Sequence, residues 1–457
     1  MSEKHGLEQL NRIPVAEAVV RNAIPAMIAM LMVLVYNLAD TFFIGQTNDD
    51  LQVAAVSLAT PVFLIFMSVG TVFGVGGTSV IARAMGEGRK EYAGKVCAFC
   101  MWGCIGIGLL LTVIFLCFME QILSFIGASG DTWELTRTYL VIVTYSGPFV
   151  LIAGCFSNIL RAEGEAVKAM TGQLLGNILN IILDPILILG LGWDVAGAAI
   201  ATVIGNLVAA GYYLLYFASG KSSLSIHIRD AAVKGSICSD VLSIGIPASL
   251  GSLLMSLSQI IMNSQMAQYG DMALAGIGVA MKVTMLTGML CMGLGQGVQP
   301  LLGYCIGAKN WLRYKKIMRF SMCLSFALGV VATGVCYLLL EPIVKAFLTD
   351  ANALEYGMQF SKILLTTGAL FGIFYMLLNA LQAMGAAKAS LIINLSRQGL
   401  IYIPMLFIMD AAIGMTGLVW AQPVADALSL LLAVVLYRLT YDSMMHEKKG
   451  KLRLLTA

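Results

Sequence analysis

Charge is what this chain has least of. Only 12% of its 457 residues are Asp, Glu, Lys or Arg, while 59% are hydrophobic and the mean hydropathy is +0.86. A soluble domain carries about twice that share of charge. Alternating apolar and polar residues are also missing, so no strand pattern competes with helix, and helices must satisfy the backbone in lipid. Histidine is nearly absent. His5, His227 and His446 stand apart in polar segments and support neither a metal cluster nor a catalytic triad. No short apolar core with a small-residue cleavage site opens the chain, so no removable signal peptide is expected. The net charge of +3 is too small and too dispersed for nucleic-acid binding.

Two abundant features have plain structural readings. The ten cysteines, with Cys97, Cys100 and Cys104 on one helical face, lie in or beside apolar segments and act as small hydrophobes rather than thiolate ligands. Gly74-Val75-Gly76-Gly77 and Gly293-Leu294-Gly295-Gln296-Gly297 follow no strand, which favours close helix packing over nucleotide binding.

Long apolar runs fill the rest. Twelve are of membrane-spanning length: 22–45, 52–81, 93–118, 136–160, 170–190, 195–218, 240–267, 273–303, 318–340, 358–381, 390–410 and 414–438. A short interfacial helix is expected over 13–20. Shifted by about 221 residues, the chain falls on itself: Gly86 on Gly307, Asn158 and Gly164 on Asn379 and Gly385, and Pro25 near Pro247. Six spans per copy is an even number, so both copies enter the membrane in the same sense. The expected fold is therefore all-α, with twelve transmembrane helices in two pseudo-symmetric six-helix bundles forming a parallel repeat. Residues 1–220 form one lobe, 221–239 a polar linker and 240–457 the other lobe.

Lys and Arg set the orientation, because positively charged short loops stay cytoplasmic. One side collects Lys4, Arg12, Arg21, Arg83, Arg89, Lys90, Lys95, Arg161, Lys168, Lys221, Arg229, Lys234, the run from Lys309 to Arg319, Lys388, and Arg438, Lys448, Lys449, Lys451 and Arg453. The other has only Arg137 and Lys345, among acids that include Asp49, Asp50, Asp131 and Asp350. Both termini are thus expected in the cytoplasm.

Ionisable residues inside spans are costly and usually functional. Asp40 sits in the first span beside Asn37, one turn after Tyr36. In the fifth, Gln173, Asn177, Asn180 and Asp184 are spaced by 4, 3 and 4, which puts them on one helical stripe facing the bundle interior. Pro185 has no N–H to return to the Ile181 carbonyl. Thr202 and Asn206 follow in the sixth span, beside Gly197, Ala201 and Gly205. Carboxylate, amide and freed carbonyl oxygens suit Na⁺ or a protonation switch, although single amides and hydroxyls also serve simply to join helices. Lys282, Lys362, Arg397 and Asp426 are placed less readily, with Lys362 and Asp426 near span ends or paired.

The segments Asn37-Leu38-Ala39-Asp40-Thr41-Phe42-Phe43-Ile44-Gly45 and Leu179-Asn180-Ile181-Ile182-Leu183-Asp184-Pro185, set in two six-helix halves, resemble the multidrug and toxic compound extrusion (MATE) family over essentially the whole chain. The likeness is greatest to its prokaryotic branch with carboxylates in the N-terminal lobe. The resemblance implies a cation or proton site at Asp40, Asn180, Asp184 and Thr202, supported by Tyr36, Asn37, Gln173, Asn177 and Asn206, and a first helix that bends near Pro25. It implies antiport of lipophilic or cationic organic compounds against H⁺ or Na⁺, conferring antibiotic resistance, by a monomer in the inner membrane. No cofactor and no structural metal are expected. Met67, Asn158, Gln259, Asn263, Lys282, Asn379 and Arg397 are candidates for lining the substrate cavity. The second copy places Ile403 before Pro404 where the first has Asp184 before Pro185, and Asp426 there reads as peripheral, which disfavours a second cation site. A lipid-linked oligosaccharide or cell-wall precursor flippase remains the alternative and needs cationic cavity residues. An intramembrane enzyme lacks its motifs, and two dissimilar lobes build no repeated channel filter.

Overall fold

The computed structural model describes residues 6–47, 49–128, 130–231 and 236–455. Lys4, His5 and Lys234 lie outside the described residues, as do the side chains of Asp50, Lys448, Lys449, Lys451 and Arg453. The first lobe runs through α1 (Leu7–Leu10), α2 (Val15–Gly45), α3 (Asp50–Gly86), α4 (Lys90–Cys117), α5 (Met119–Phe125), α6 (Trp133–Tyr145), α7 (Gly147–Glu163), α8 (Ala166–Asp184) and α9 (Asp194–Ala218). The second runs through α10 (Ile237–Ala267), α11 (Asp271–Gly307), α12 (Trp311–Leu338), α13 (Leu340–Phe347), α14 (Ala351–Leu365), α15 (Gly368–Met384), α16 (Ala387–Leu395), α17 (Tyr402–Ile413) and α18 (Met415–Leu455). Ten helical segments can each cross a membrane, and two bent pairs, α6 with α7 and α14 with α15, bring the number to twelve among the described residues.

Those bends, of 56° and 46°, were not expected from the apolar runs. At the first, Pro148 cannot donate to the Thr144 carbonyl, and the Thr112 hydroxyl takes it at 3.0 Å instead. The second has no proline, but Gly368 packs against Thr333, the repeat mate of Thr112. The separate interfacial helix expected over 13–20 is absent. Pro14 caps α2, which runs as one helix from Val15 to Gly45, so residues 15–20 belong to the first span. Pro185 opens a π-helix, Pro185–Gly190, and a second π-helix, Ser396–Leu400, separates α16 from α17.

The repeat is exact in several details. Helices α7 and α15 end on left-handed glycines, Gly164 (φ 93°) and Gly385 (φ 74°), where a side chain would be strained. Gly74 lies against Asn158 as Gly295 lies against Asn379.

The lobes meet on one side, near the start of α2 and α10 and the end of α3 and α11. Gly245 touches the Val72 backbone and Gly76 the Val241 carbonyl; the repeat-related crossing sets Gly293 and Gly297 against Met27 and Ala23. Asn22 Nδ2 donates to the Gly297 carbonyl at 2.5 Å, the Ser79 hydroxyl donates to the Gln382 carbonyl, and Tyr92 donates to Asp240 at 3.0 Å. We call this the terminal side. Residues 1–220 do not all stay with the first lobe's core, because Leu7, Leu10, Ala18, Val19 and Ala23 pack into a cluster built mainly by α11 and α15. The connection between lobes is held to the first. Ser222 and Ser223 hydroxyls donate to the buried Glu163 carboxylate at 2.9 Å, and Trp102 Nε1 donates to the Ile226 carbonyl at 3.1 Å.

Candidate functional site

Helices α8 and α9 touch backbone to backbone at Gly176 and Gly205, which leaves no room for a Cβ on either. That contact fixes the polar stripe of α8 over the start of α9. Asn180, Asp184 and Thr202 are all buried, and Asn180 Nδ2 donates to Thr202 Oγ1 at 3.3 Å. Asp40 and Tyr36, on α2, complete the group: Tyr36 reaches the Thr202 hydroxyl, and Asp40 lies within electrostatic reach of Asp184. Asn206 instead bonds the Thr202 carbonyl at 2.9 Å, within its own helix, and Asn37 is exposed. Gln173 Oε1 and Asn177 Nδ2 are buried further along the stripe without partners.

One member escaped the sequence reading. Tyr139 of α6 is buried against Asp40, Tyr36, Asp184 and Thr202. Its only sequence signal was a hydroxyl-bearing aromatic inside a span, which is unremarkable in lipid-facing helices.

The decisive chemistry is in the oxygens. Asp40 Oδ1, Asn180 Oδ1 and both carboxylate oxygens of Asp184 are buried without any hydrogen-bond donor. Buried acceptors left this way cost free energy, and two carboxylates repel one another. A proton or a small hard cation relieves both terms, so these residues fit H⁺ or Na⁺.

The second lobe differs. Asp426 is not peripheral, as a place near a span end suggested, and does not pair with Lys362 among the described residues; it is only 4% exposed. It accepts from Arg397 Nε at 2.8 Å, Gln422 Nε2 at 2.9 Å and Thr367 Oγ1 at 3.3 Å. The Arg397 guanidinium also lies 5.0 to 5.4 Å from the ring centres of Phe371, Phe374 and Tyr375. Arg397 and Asp426 stand where the first lobe has Gly176 and Gly205. Of the other cavity candidates, Lys282 is exposed and stacks on Phe347, Gln259, Asn263 and Met67 are exposed, and Asn158 and Asn379 are packed on glycines. Arg161, counted among loop cations, is instead 1% exposed at the lobe junction, donating to Asn158 at 2.7 Å and to Gln296 of the other lobe at 3.3 Å.

The MatE family model matches residues 25–186 and again 247–408, one match in each lobe. The chain belongs to the MatE family. It is 34% identical over 436 residues to the multidrug export protein MepA of Staphylococcus aureus strain MSSA476, covering 95% of this chain and 96% of that protein. MepA of Staphylococcus haemolyticus strain JCSC1435 is 33% identical over 434 residues, covering 93% and 95%. Among solved structures, the outward-facing conformation of a multidrug resistance MATE family transporter of the MOP superfamily is similar with a TM-score of 0.91 at 26% identity, covering 98% of this chain and 100% of that one. Members of this family are transporters, not enzymes.

Proposed function

We propose that this MatE-family chain is a multidrug efflux antiporter that exports lipophilic or cationic organic compounds in exchange for H⁺ or Na⁺ taken up at Asp40, Asn180, Asp184 and Thr202. The observation that carries the reading is the set of donor-less buried oxygens in the first lobe, in a molecule whose lobes are sealed on the terminal side by close helix contacts and a few hydrogen bonds between helices. Helix α2 joins the two features. Its outer half bears Tyr36 and Asp40, while its first half, including buried Pro25, packs on Gly293 and Gly297 of the other lobe. Pro25 withholds a backbone hydrogen bond from that stretch, which eases bending where the lobes must part.

Cation binding neutralises the repelling carboxylates and favours one packing of α2; substrate favours the other. Residues 1–220 then carry the coupling site, 221–239 the linker and 240–457 the lobe that completes the drug path. The Lys and Arg bias supports a cytoplasmic location for both termini, and on that reading the sealed side faces inward. The protein acts as a monomer in contact with anionic lipid. A flippase for a pyrophosphate-bearing lipid is disfavoured, because Arg397 is already neutralised by Asp426 and Lys282 lies exposed against Phe347.

The test is export of a lipophilic cation from proteoliposomes under an imposed proton gradient and, separately, a Na⁺ gradient. Asp184→Asn is expected to abolish gradient-driven export while leaving the purified protein folded. Full export by that variant would remove the site, and export indifferent to both gradients would remove antiport.

A further inference from the structure

On the terminal side, where the first segment of the chain crosses onto the second lobe, a cavity of about 520 Å³ opens between residues 11–15 and the start of α12. It is lined by Arg12, Arg313 and Lys316, with no carboxylate among its lining residues. Arg313 is held in place: its Nη2 donates to the carbonyls of Leu10 at 2.8 Å and Ile13 at 2.7 Å, and its buried Nε has no acceptor. Arg12 and Lys316 are exposed and enter no ion pair among the described residues.

The repeat supplies an internal control. At the matching start of α4, Arg89 pairs with Glu87, Lys90 with Glu8 at 3.5 Å and Lys95 with Glu91 at 2.6 Å. Positive charge is neutralised within the protein there, and is left unbalanced at α12. The end of α12 adds to the field. Asn310 Oδ1 accepts from Arg313 N at 3.1 Å, the amides of Trp311 and Leu312 have no intrahelical acceptor, and the first turn holds no acid.

Depth and shape then narrow the ligand. Helix α12 has 28 residues, about 42 Å at 1.5 Å per residue, against a hydrocarbon core of about 30 Å, so its first turn projects into the headgroup layer. Leu312, 70% exposed, forms an apolar rim with Ile13 and Val15 beside the cations. A free anion has no use for that rim.

We propose that this cavity binds a phosphate-bearing anion, supplied by the headgroup of an anionic phospholipid such as phosphatidylglycerol, with its acyl chains against the Leu312 rim. Nη1 of Arg313, left over while Nη2 holds the Leu10 and Ile13 carbonyls, and the amides at the start of α12 donate to the phosphate oxygens, and Arg12 and Lys316 complete the charge. Residues 11–15 pack with the second lobe but lead into α2, whose outer half carries the first lobe's carboxylate, so a ligand here braces α2 against α12 in the closed arrangement seen. Occupation therefore stabilises the closed terminal side, and the lipid composition of that leaflet biases the transport cycle.

The full-length protein in mild detergent is titrated with phosphatidylglycerol, phosphatidylcholine or inorganic phosphate, reading the thermal midpoint and the lipid retained in native mass spectrometry. Phosphatidylglycerol is expected to raise the midpoint and stay bound, and phosphatidylcholine is not. Arg12→Gln/Lys316→Gln, which changes exposed residues only, should weaken phosphatidylglycerol about thirtyfold, at ~1 kcal/mol per cation near an anionic surface. Lys95→Gln, at the neutralised end of the repeat, should leave it unchanged. Equal stabilisation by inorganic phosphate would overturn the lipid as occupant, and equal phosphatidylglycerol binding by the Arg12→Gln/Lys316→Gln protein would overturn the site. Neither readout involves transport, so the outcome is separate from the antiport reading.

Discussion

Adding one methyl group at Gly245 should open the terminal side. A Cβ there collides with the oxygen, carbon and Cα of Val72, all backbone, so no flexible side chain can yield and α10 must move away from α3. Overpacking a tight contact costs about 1–3 kcal/mol. In the alternate state of a two-lobe transporter the contact is already parted, so the whole cost falls on the closed state. The ratio of closed to open molecules should then fall by about 5- to 150-fold. Spin labels at Glu87 and Ser243, exposed residues near the terminal ends of α3 and α10, report the separation by pulsed electron resonance once exposed Cys117 and Cys323 are replaced. Gly245→Ala should move the main distance population outward. Gly211→Ala, where a Cβ meets nothing within 4 Å, should not. An unchanged distribution in Gly245→Ala, or an equal shift in Gly211→Ala, refutes the idea that this crossing is the seal.

Arg397→Met leaves Asp426 buried without its cation and should destabilise the protein by about 3–5 kcal/mol, whereas Arg397→Met/Asp426→Leu should recover most of the loss in thermal melts. Equal destabilisation in both variants would show that the ion pair is not the cause. Tyr139→Phe removes one hydroxyl from the carboxylate group and should slow gradient-driven export about fivefold, at ~1 kcal/mol per hydrogen bond, without changing the thermal midpoint. A midpoint that falls in step with export would assign Tyr139 to packing alone.

The spans and the repeat were legible because a hydrocarbon solvent imposes length and apolarity on each helix. So was the α8 stripe, since a 4-3-4 spacing has one structural meaning. The bends were not, because Ser146-Gly147-Pro148 and Thr366-Thr367-Gly368 are short breaks inside runs that stay apolar over the length of a span. Arg161 and Asp426 misled for a common reason. A charge near a span end reads as solvated, and only the fold shows that Gln296, or Arg397 from another helix, waits beside it. Tyr139 carried no periodic partner in its own helix, and its role exists only where α2, α6, α8 and α9 converge.

The grip of Glu163 on Ser222 and Ser223, with Trp102 on Ile226, means that the first stretch of the covalent tie between the lobes is fastened to the first lobe. Among the described residues, the hydrogen bonds of Asn22 to Gly297, Ser79 to Gln382, Tyr92 to Asp240 and Arg161 to Gln296 join helices of the two lobes, and none of them involves that tie. Chain continuity is therefore a convenience of synthesis, and two genes would serve as well as one. Polypeptides 1–231 and 232–457, made together in one cell, should assemble into a working transporter, with α2 and α11 finding each other as two subunits would.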